Sequence, residues 1–144
     1  MSLHELTSRD QTEPFSADDV IDFLYNHLDE FGDERDAIEK CLNYVFNRGG
    51  FVIVAIEDDK VVGATIINDT GMEGYIPEHI LVYIAVHGDY RGRGLGKQIM
   101  QAALDKCTGD IALHVEADNP AVHLYKKIGF TNKYLEMRLH RSSN

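Results

Sequence analysis

The feature that most constrains this chain is the run Arg91-Gly92-Arg93-Gly94-Leu95-Gly96-Lys97, set between an unbroken apolar stretch and a helical pattern. Glycine at alternate positions lets a backbone turn tightly through left-handed conformations and expose consecutive N–H groups. Those groups would meet the positive end of the following helix, which makes a cradle for a phosphate-like anion. Arg91, Arg93 and Lys97 add positive charge to the same turn. A plain flexible surface turn would not need the strand before it and the helix after it. The run is not a P-loop, because the first glycine of that pattern falls on Arg91 and Gln98 stands where Ser or Thr is required. Its G-x-G-x-G spacing also departs from the dinucleotide fingerprint.

The rest of the chain supplies alternating strand and helix signals of one α/β domain spanning 1–144. A short edge strand is predicted near Leu3–Thr7. Ser16 caps a helix whose first turn holds Asp18 and Asp19, and whose apolar face runs through Val20, Leu24, Leu28 and Phe31. A second amphipathic helix carries Ile38, Cys41, Leu42, Val45 and Phe46 and stops at Gly49-Gly50. Phe51–Ile56 and Val61–Ile67 read as a hairpin around Asp58-Asp59-Lys60. Ile80–Val86 is apolar enough to be buried on both faces. After the glycine turn come a helix through Leu95, Ile99, Met100, Ala103 and Cys107, a strand Ile111–Glu116, a short helix from Pro120 to Lys127, and an alternating strand Tyr134–His140. The order is β-α-α-β-β-β-α-β-α-β.

Charge is divided unevenly. Of the net charge of -10, residues 1–80 contribute -13 and residues 81–144 contribute +3. The overall acidity argues against binding nucleic acid through phosphate neutralisation. The division suggests an anion site in the second half and an acidic rim in the first, although a solvated acidic surface would give the same count. There is no apolar run near the ~20 residues of a membrane span, so no membrane partner is expected. Two unspaced cysteines, Cys41 and Cys107, make no disulfide framework or zinc motif. Cytoplasmic localisation is the expectation. His114-x-Glu116-x-Asp118 spaces three acceptor groups along one strand face, but without a further His or Cys cluster no metal is expected.

The turn matches Arg/Gln-x-x-Gly-x-Gly/Ala, and Asp118-Asn119-Pro120-Ala121-Val122-His123-Leu124-Tyr125-Lys126-Lys127-Ile128-Gly129-Phe130 matches an Asn…Leu-Tyr-x-x-x-Gly-Phe segment. In this order, with one strand between them, the two resemble the hallmarks of the GNAT superfamily of N-acetyltransferases, over about residues 50–140. The resemblance implies a mixed, mostly antiparallel sheet flanked by about four helices, with acetyl-CoA as cosubstrate. By that resemblance Ile84, Ala85 and Val86 offer backbone groups to the pantetheine arm. Arg91, Gly92, Arg93, Gly94, Leu95, Gly96 and Lys97 hold the pyrophosphate. Asn119 bonds the pantetheine or acetyl region, although a one-residue difference in spacing leaves Asp118 as the alternative. Tyr125 stands by the sulfur as general acid, and a phenol can donate to the departing thiolate by hydrogen bond.

The amine nucleophile must also lose a proton. Tyr83 and His87 share one face of the strand before the turn, and His114 and Glu116 share one face of the next. These, with Glu78, His79 and a water relay, are the candidates. The expected activity is direct transfer of acetyl to a primary amine in a ternary complex. Asp29, Glu30, Asp33 and Glu34, collected between the first two helices, favour a cationic acceptor: a small polyamine-like molecule, or a lysine or N-terminal amine of a protein. The alternative is a non-catalytic acyl-CoA-binding module. The sequence leaves homodimerisation open.

Overall fold

The computed structural model describes residues 1–28 and 32–141. The predicted apolar position Phe31 and the acidic positions Asp29 and Glu30 lie outside them. The chain divides into two compact units, Met1–Leu113 and His114–Asn144.

In the first unit, the elements run β1 (Ser2–Glu5), α1 (Ala17–His27), α2 (Arg35–Asn47), β2 (Gly50–Glu57), β3 (Lys60–Asp69), β4 (His79–Val86), a 3-10 turn (Gly88–Tyr90), α3 (Leu95–Asp105) and β5 (Ile111–Leu113). The strands form one sheet in the order β1-β2-β3-β4-β5. All neighbours are antiparallel except β4 and β5, which are parallel.

Local chemistry explains the boundaries. The Ser16 side chain accepts from Asp19 N–H at 3.1 Å while Asp19 accepts from Ser16 N–H at 2.9 Å, a reciprocal cap that starts α1. Asp58 and Asp59 take φ of 51° and 61°, the left-handed pair that lets a two-residue turn follow the twist of the β2–β3 hairpin. Gly50 opens β2 at φ 143°, where any added Cβ would strike the carbonyl oxygen of Ile67.

Period two puts Val52, Val54, Ile56, Ala64, Ile66, Tyr83 and Ala85 in one core with Val20, Ile21, Leu24, Ile38 and Leu42 of α1 and α2. Gly63, one residue off that face, lies against Ile99 of α3. The sheet is therefore covered by α1 and α2 on one side and by α3 on the other. Burial along β4 alternates, with His79, Leu81, Tyr83 and Ala85 buried and the residues between them half-buried. The expectation of burial at every position is corrected accordingly: Ile80, Val82, Ile84 and Val86 are only half-buried.

In the second unit, α4 (Ala121–Ile128) ends at Gly129, whose φ of 122° lets Phe130 N–H donate to the Tyr125 carbonyl at 3.0 Å. The Tyr125 ring meets Phe130 edge-on at 5.9 Å. Two strand expectations need correction. The strand predicted as Ile111–Glu116 ends at Leu113, and Tyr134–His140 forms no strand. Alternation states which side chains would share a face, but a strand also needs a neighbour's backbone to bond. Register with β4 stops at Leu81↔Leu113. In 134–140, Tyr134, Leu135, Met137 and Leu139 are all largely exposed.

Candidate active site

β4 leads through the 3-10 turn Gly88–Tyr90 into the glycine turn, and the glycine turn leads straight into α3. On its inner side β4 pairs with β3 along its length, whereas β5 pairs only with His79–Leu81. The backbone of Ile84, Ala85 and Val86 thus lies beyond the reach of β5, with its outer edge unclaimed by that strand. The predicted backbone-binding trio sits at this edge.

The turn has the geometry its sequence requires. Gly92 and Gly94 take φ of 80° and 77°, in the left-handed region that glycine enters freely. Space around both is open, since a Cβ built on either meets nothing within 4 Å. Gly94 is the N-cap of α3, and its carbonyl accepts from Gln98 N–H at 3.1 Å. A glycine cap carries no side-chain acceptor, so Gly94 itself supplies no capping oxygen to the first-turn N–H groups of α3. Arg91, Gly92, Arg93, Gly94 and Lys97 are exposed, Gly96 is half-buried, and Leu95 is buried as the anchor beneath them. First-turn N–H groups, a helix dipole and three cationic side chains fit an anionic group such as a pyrophosphate.

Two contacts tie this turn and β4 to the helices of the opposite layer. Arg91 Nε donates to the Val86 carbonyl at 3.2 Å, and its Nη2 reaches the His27 carbonyl at the end of α1 at 3.5 Å. His27 stacks on Phe23 and packs against His87, with ring centres 4.7 Å apart in the second pair.

The candidate bases fare differently. Tyr83 donates its hydroxyl to Asp33 Oδ2 at 2.5 Å. Burial, with that carboxylate beside it, pushes its phenol well above the usual tyrosine range. The raised pKa keeps the phenol protonated, and the Tyr83 hydroxyl already has a carboxylate partner. His79 is buried, with Nδ1 on Asp69 Oδ1 at 2.7 Å and Nε2 accepting from Thr108 N–H at 3.2 Å. Its lone pair is already occupied. Glu78 accepts from Asp110 N–H at 3.3 Å, at the end of β4 away from the glycine turn. His87 Nδ1 accepts from Asp89 N–H at 3.1 Å.

In the second unit His114 and Glu116 are exposed and follow the last residue of β5, so the shared strand face expected for them does not form. Asp118 is exposed. Asn119 Oδ1 accepts from Ala121 N–H at 2.9 Å, which commits that oxygen to the start of α4. Tyr125 is the buried residue of α4, and burial raises its pKa. Among the described residues no group of three His, Cys, Asp or Glu could hold a metal ion.

Sequence reasoning did not single out Glu57 or Tyr90. Glu57 and Tyr90 line one cavity, and the Arg93 guanidinium lies over the Tyr90 ring, 5.2 Å from its centre. Nothing in a linear sequence pairs the end of one hairpin strand with a turn more than thirty residues on.

A model of the acetyltransferase (GNAT) family matches residues 2–130. N-alpha-acetyltransferase 30 of Schizosaccharomyces pombe is 31% identical over 107 residues, which is 67% of this chain and 71% of that protein. The ribosomal-protein-alanine N-acetyltransferase of Brucella melitensis superposes with a TM-score of 0.69 at 20% identity, over 98% of this chain and all of that one. An aminoglycoside N-acetyltransferase solved in complex with CoA superposes with a TM-score of 0.67 at 15% identity, over 99% of this chain and all of that one.

Proposed function

The chain belongs to the GNAT family of acetyltransferases and takes acetyl-CoA as its donor; from that premise we propose that it passes acetyl directly to a cationic primary amine. The observation that carries the reading is the strand–turn–helix at Val86–Lys97, with left-handed glycines and first-turn helix N–H groups in one place. Those N–H groups, with Arg91, Arg93 and Lys97, bind the donor's phosphates. Backbone groups of Ile84, Ala85 and Val86 take the pantetheine arm as an added strand would.

In the transfer, the amine nitrogen bonds the thioester carbonyl carbon and the carbon–sulfur bond breaks. Tyr125, kept protonated by burial, gives its proton to the leaving sulfur and takes one back from solvent before the next turnover. The amine's proton leaves to solvent, through the exposed His114 or Glu116 or through water alone. The Asn119 side chain, anchored by its oxygen, keeps its amide N–H groups for the donor.

The acceptor class rests on charge. Residues 1–80 carry -13, and the described acidic residues Asp33 and Glu34 precede α2. The names of an N-alpha-acetyltransferase and an aminoglycoside N-acetyltransferase among the similar proteins also denote transfer to nitrogen. The free cysteines Cys41 and Cys107 suit a reducing compartment, which supports action in the cytoplasm.

The test is thiol release from acetyl-CoA across a panel of cationic, neutral and anionic amines at several ionic strengths. Preference for cations that weakens with salt is the expected result. Equal rates across the panel, without salt dependence, would remove the acceptor assignment.

A further inference from the structure

The β2–β3 hairpin carries a carboxylate to the edge of the glycine turn. Glu57 ends β2 and lines the same cavity as Tyr90. The Met1 amino group lies 3.5 Å from the same carboxylate. Tyr90 closes the 3-10 turn that precedes Arg91, and the Arg93 guanidinium covers its ring at 5.2 Å. Glu57, Tyr90, Arg93, Leu95 and Gln98 line one cavity of about 110 Å³ at the start of α3. The hairpin tip, the turn and the helix end therefore meet at this point.

The arrangement treats Arg93 in a particular way. Among the described residues no carboxylate lies within ion-pair distance of Arg93, so its charge is not cancelled by direct pairing. A guanidinium over a ring engages it through its charge and face, and its N–H donors project from the rim of the plane. Those donors stay available for a phosphate. The carboxylate that lines the cavity together with that ring is Glu57. The Tyr90 phenol draws the Glu57 carboxyl below its ordinary range and Glu57 raises the phenol, as expected of an ionised carboxylate beside a hydroxyl.

We propose that Tyr90 and Glu57 are positioning residues for the donor's phosphates: Tyr90 orients the Arg93 guanidinium by its face, and Glu57 orients Tyr90 by its hydroxyl. The inference rests on the reading of residues 91–97 as the phosphate cradle. Neither Tyr90 nor Glu57 touches the donor. Their effect passes through Arg93.

Calorimetric titration with three probes tests it: CoA, dephospho-CoA and pantetheine, the last lacking every phosphate. Tyr90→Ala and Arg93→Ala are each expected to weaken CoA about five- to tenfold, a loss of about 1.0–1.4 kcal/mol. The double variant should lose no more than about twofold beyond either single variant, because the two residues act as one unit. Tyr90→Phe keeps the ring and should lose only about two- to threefold. Pantetheine should bind all variants as it binds the unaltered protein. Dephospho-CoA identifies the phosphate: a preserved loss assigns the pyrophosphate and a vanished loss the 3′-phosphate, and both agree with the proposal.

Additive losses would overturn it, as would equal losses with pantetheine or a change under twofold at both positions. Should Tyr90→Ala fail to fold, the contrast between CoA and pantetheine for Arg93→Ala and Tyr90→Phe decides the matter. Failure of the cradle itself has a separate signature: Gly94→Val would bind CoA as tightly as the unaltered chain.

Discussion

Gly94→Ala isolates the backbone requirement of the cradle from every other effect. Gly94 sits at φ 77°, and a Cβ built there meets nothing within 4 Å. Steric collision with neighbours is thus absent, and the whole penalty is the intrinsic one for an L-residue in the left-handed region, about 1–2 kcal/mol. It can appear in two places. A turn that keeps its conformation shows the loss in unfolding free energy. A turn that relaxes when free must be restored on binding and shows the loss in donor affinity.

The two losses therefore sum to the same 1–2 kcal/mol, and the open surroundings of Gly94 favour relaxation. Most of the change should fall on CoA, as a roughly 5- to 30-fold rise in Kd. Urea unfolding and CoA calorimetry on the same variant measure both parts. Gly94→Asn should recover about half of the loss, since asparagine tolerates this region better than alanine. The reasoning fails if the summed loss is below about 0.5 kcal/mol, against the 1–2 kcal/mol intrinsic penalty, or if asparagine is as damaging as alanine.

Three further outcomes follow from other residues. Tyr125→Phe should lower kcat about 100-fold or more with both KM values unchanged; because burial raises the phenol's pKa, its acid form persists and this group causes no alkaline fall in kcat below pH 10. Tyr83→Phe should cost about 1 kcal/mol in urea unfolding, less than a hydrogen bond to a charged group usually contributes, because water can replace it at the exposed Asp33; kcat at pH 7 should stay within about twofold of the unaltered chain, as fits a tyrosine that does not take the proton. Burial pushes the Cys41 thiol up to about 12 from 9.0, so the unfolded chain ionises first: this residue leaves stability constant below pH 9 and reduces it as pH rises from 9 toward 12. The slope is about 1.4 kcal/mol per pH unit, and Cys41→Ala should flatten it in urea unfolding measured across that range.

The legible parts of this chain were those in which a residue type answers a local requirement. Ser16 and Asp19 cap a helix whatever else the chain does, and both caps formed. Gly92 and Gly94 mark left-handed backbone because few other residues go there, and the turn took that form. The strand from Ile111 was legible only to Leu113, because its further extent depended on backbone pairing that side-chain alternation does not encode. The same gap separates the alternating pattern of Tyr134–His140 from a strand. For Tyr83 the face was readable and the partner was not: Asp33, fifty residues earlier, accepts its hydroxyl. Tyr90 and Glu57 were invisible for that reason too.

The same distinction explains why the donor was easier to infer than the acceptor. A phosphate is recognised largely by backbone N–H groups in one conformation, and conformation leaves its mark in glycine spacing. An amine is recognised by carboxylates that tertiary structure brings together from separate elements, and charge counts register them only as a sum. The division into -13 and +3 is informative for that sum and coarse beyond it. Glu57 shows how coarse, since it belongs to the acidic half yet ends beside the basic turn and, through Tyr90, steadies one of its arginines. A negative residue next to a phosphate site would ordinarily weaken binding. In the proposed arrangement its charge is engaged by the Tyr90 hydroxyl, so orientation of Arg93 can outweigh repulsion of the ligand. Glu57→Gln separates the two effects: it removes the repulsion and keeps an oxygen that can accept from Tyr90. If orientation dominates, CoA affinity stays within about twofold. If repulsion dominates, affinity rises.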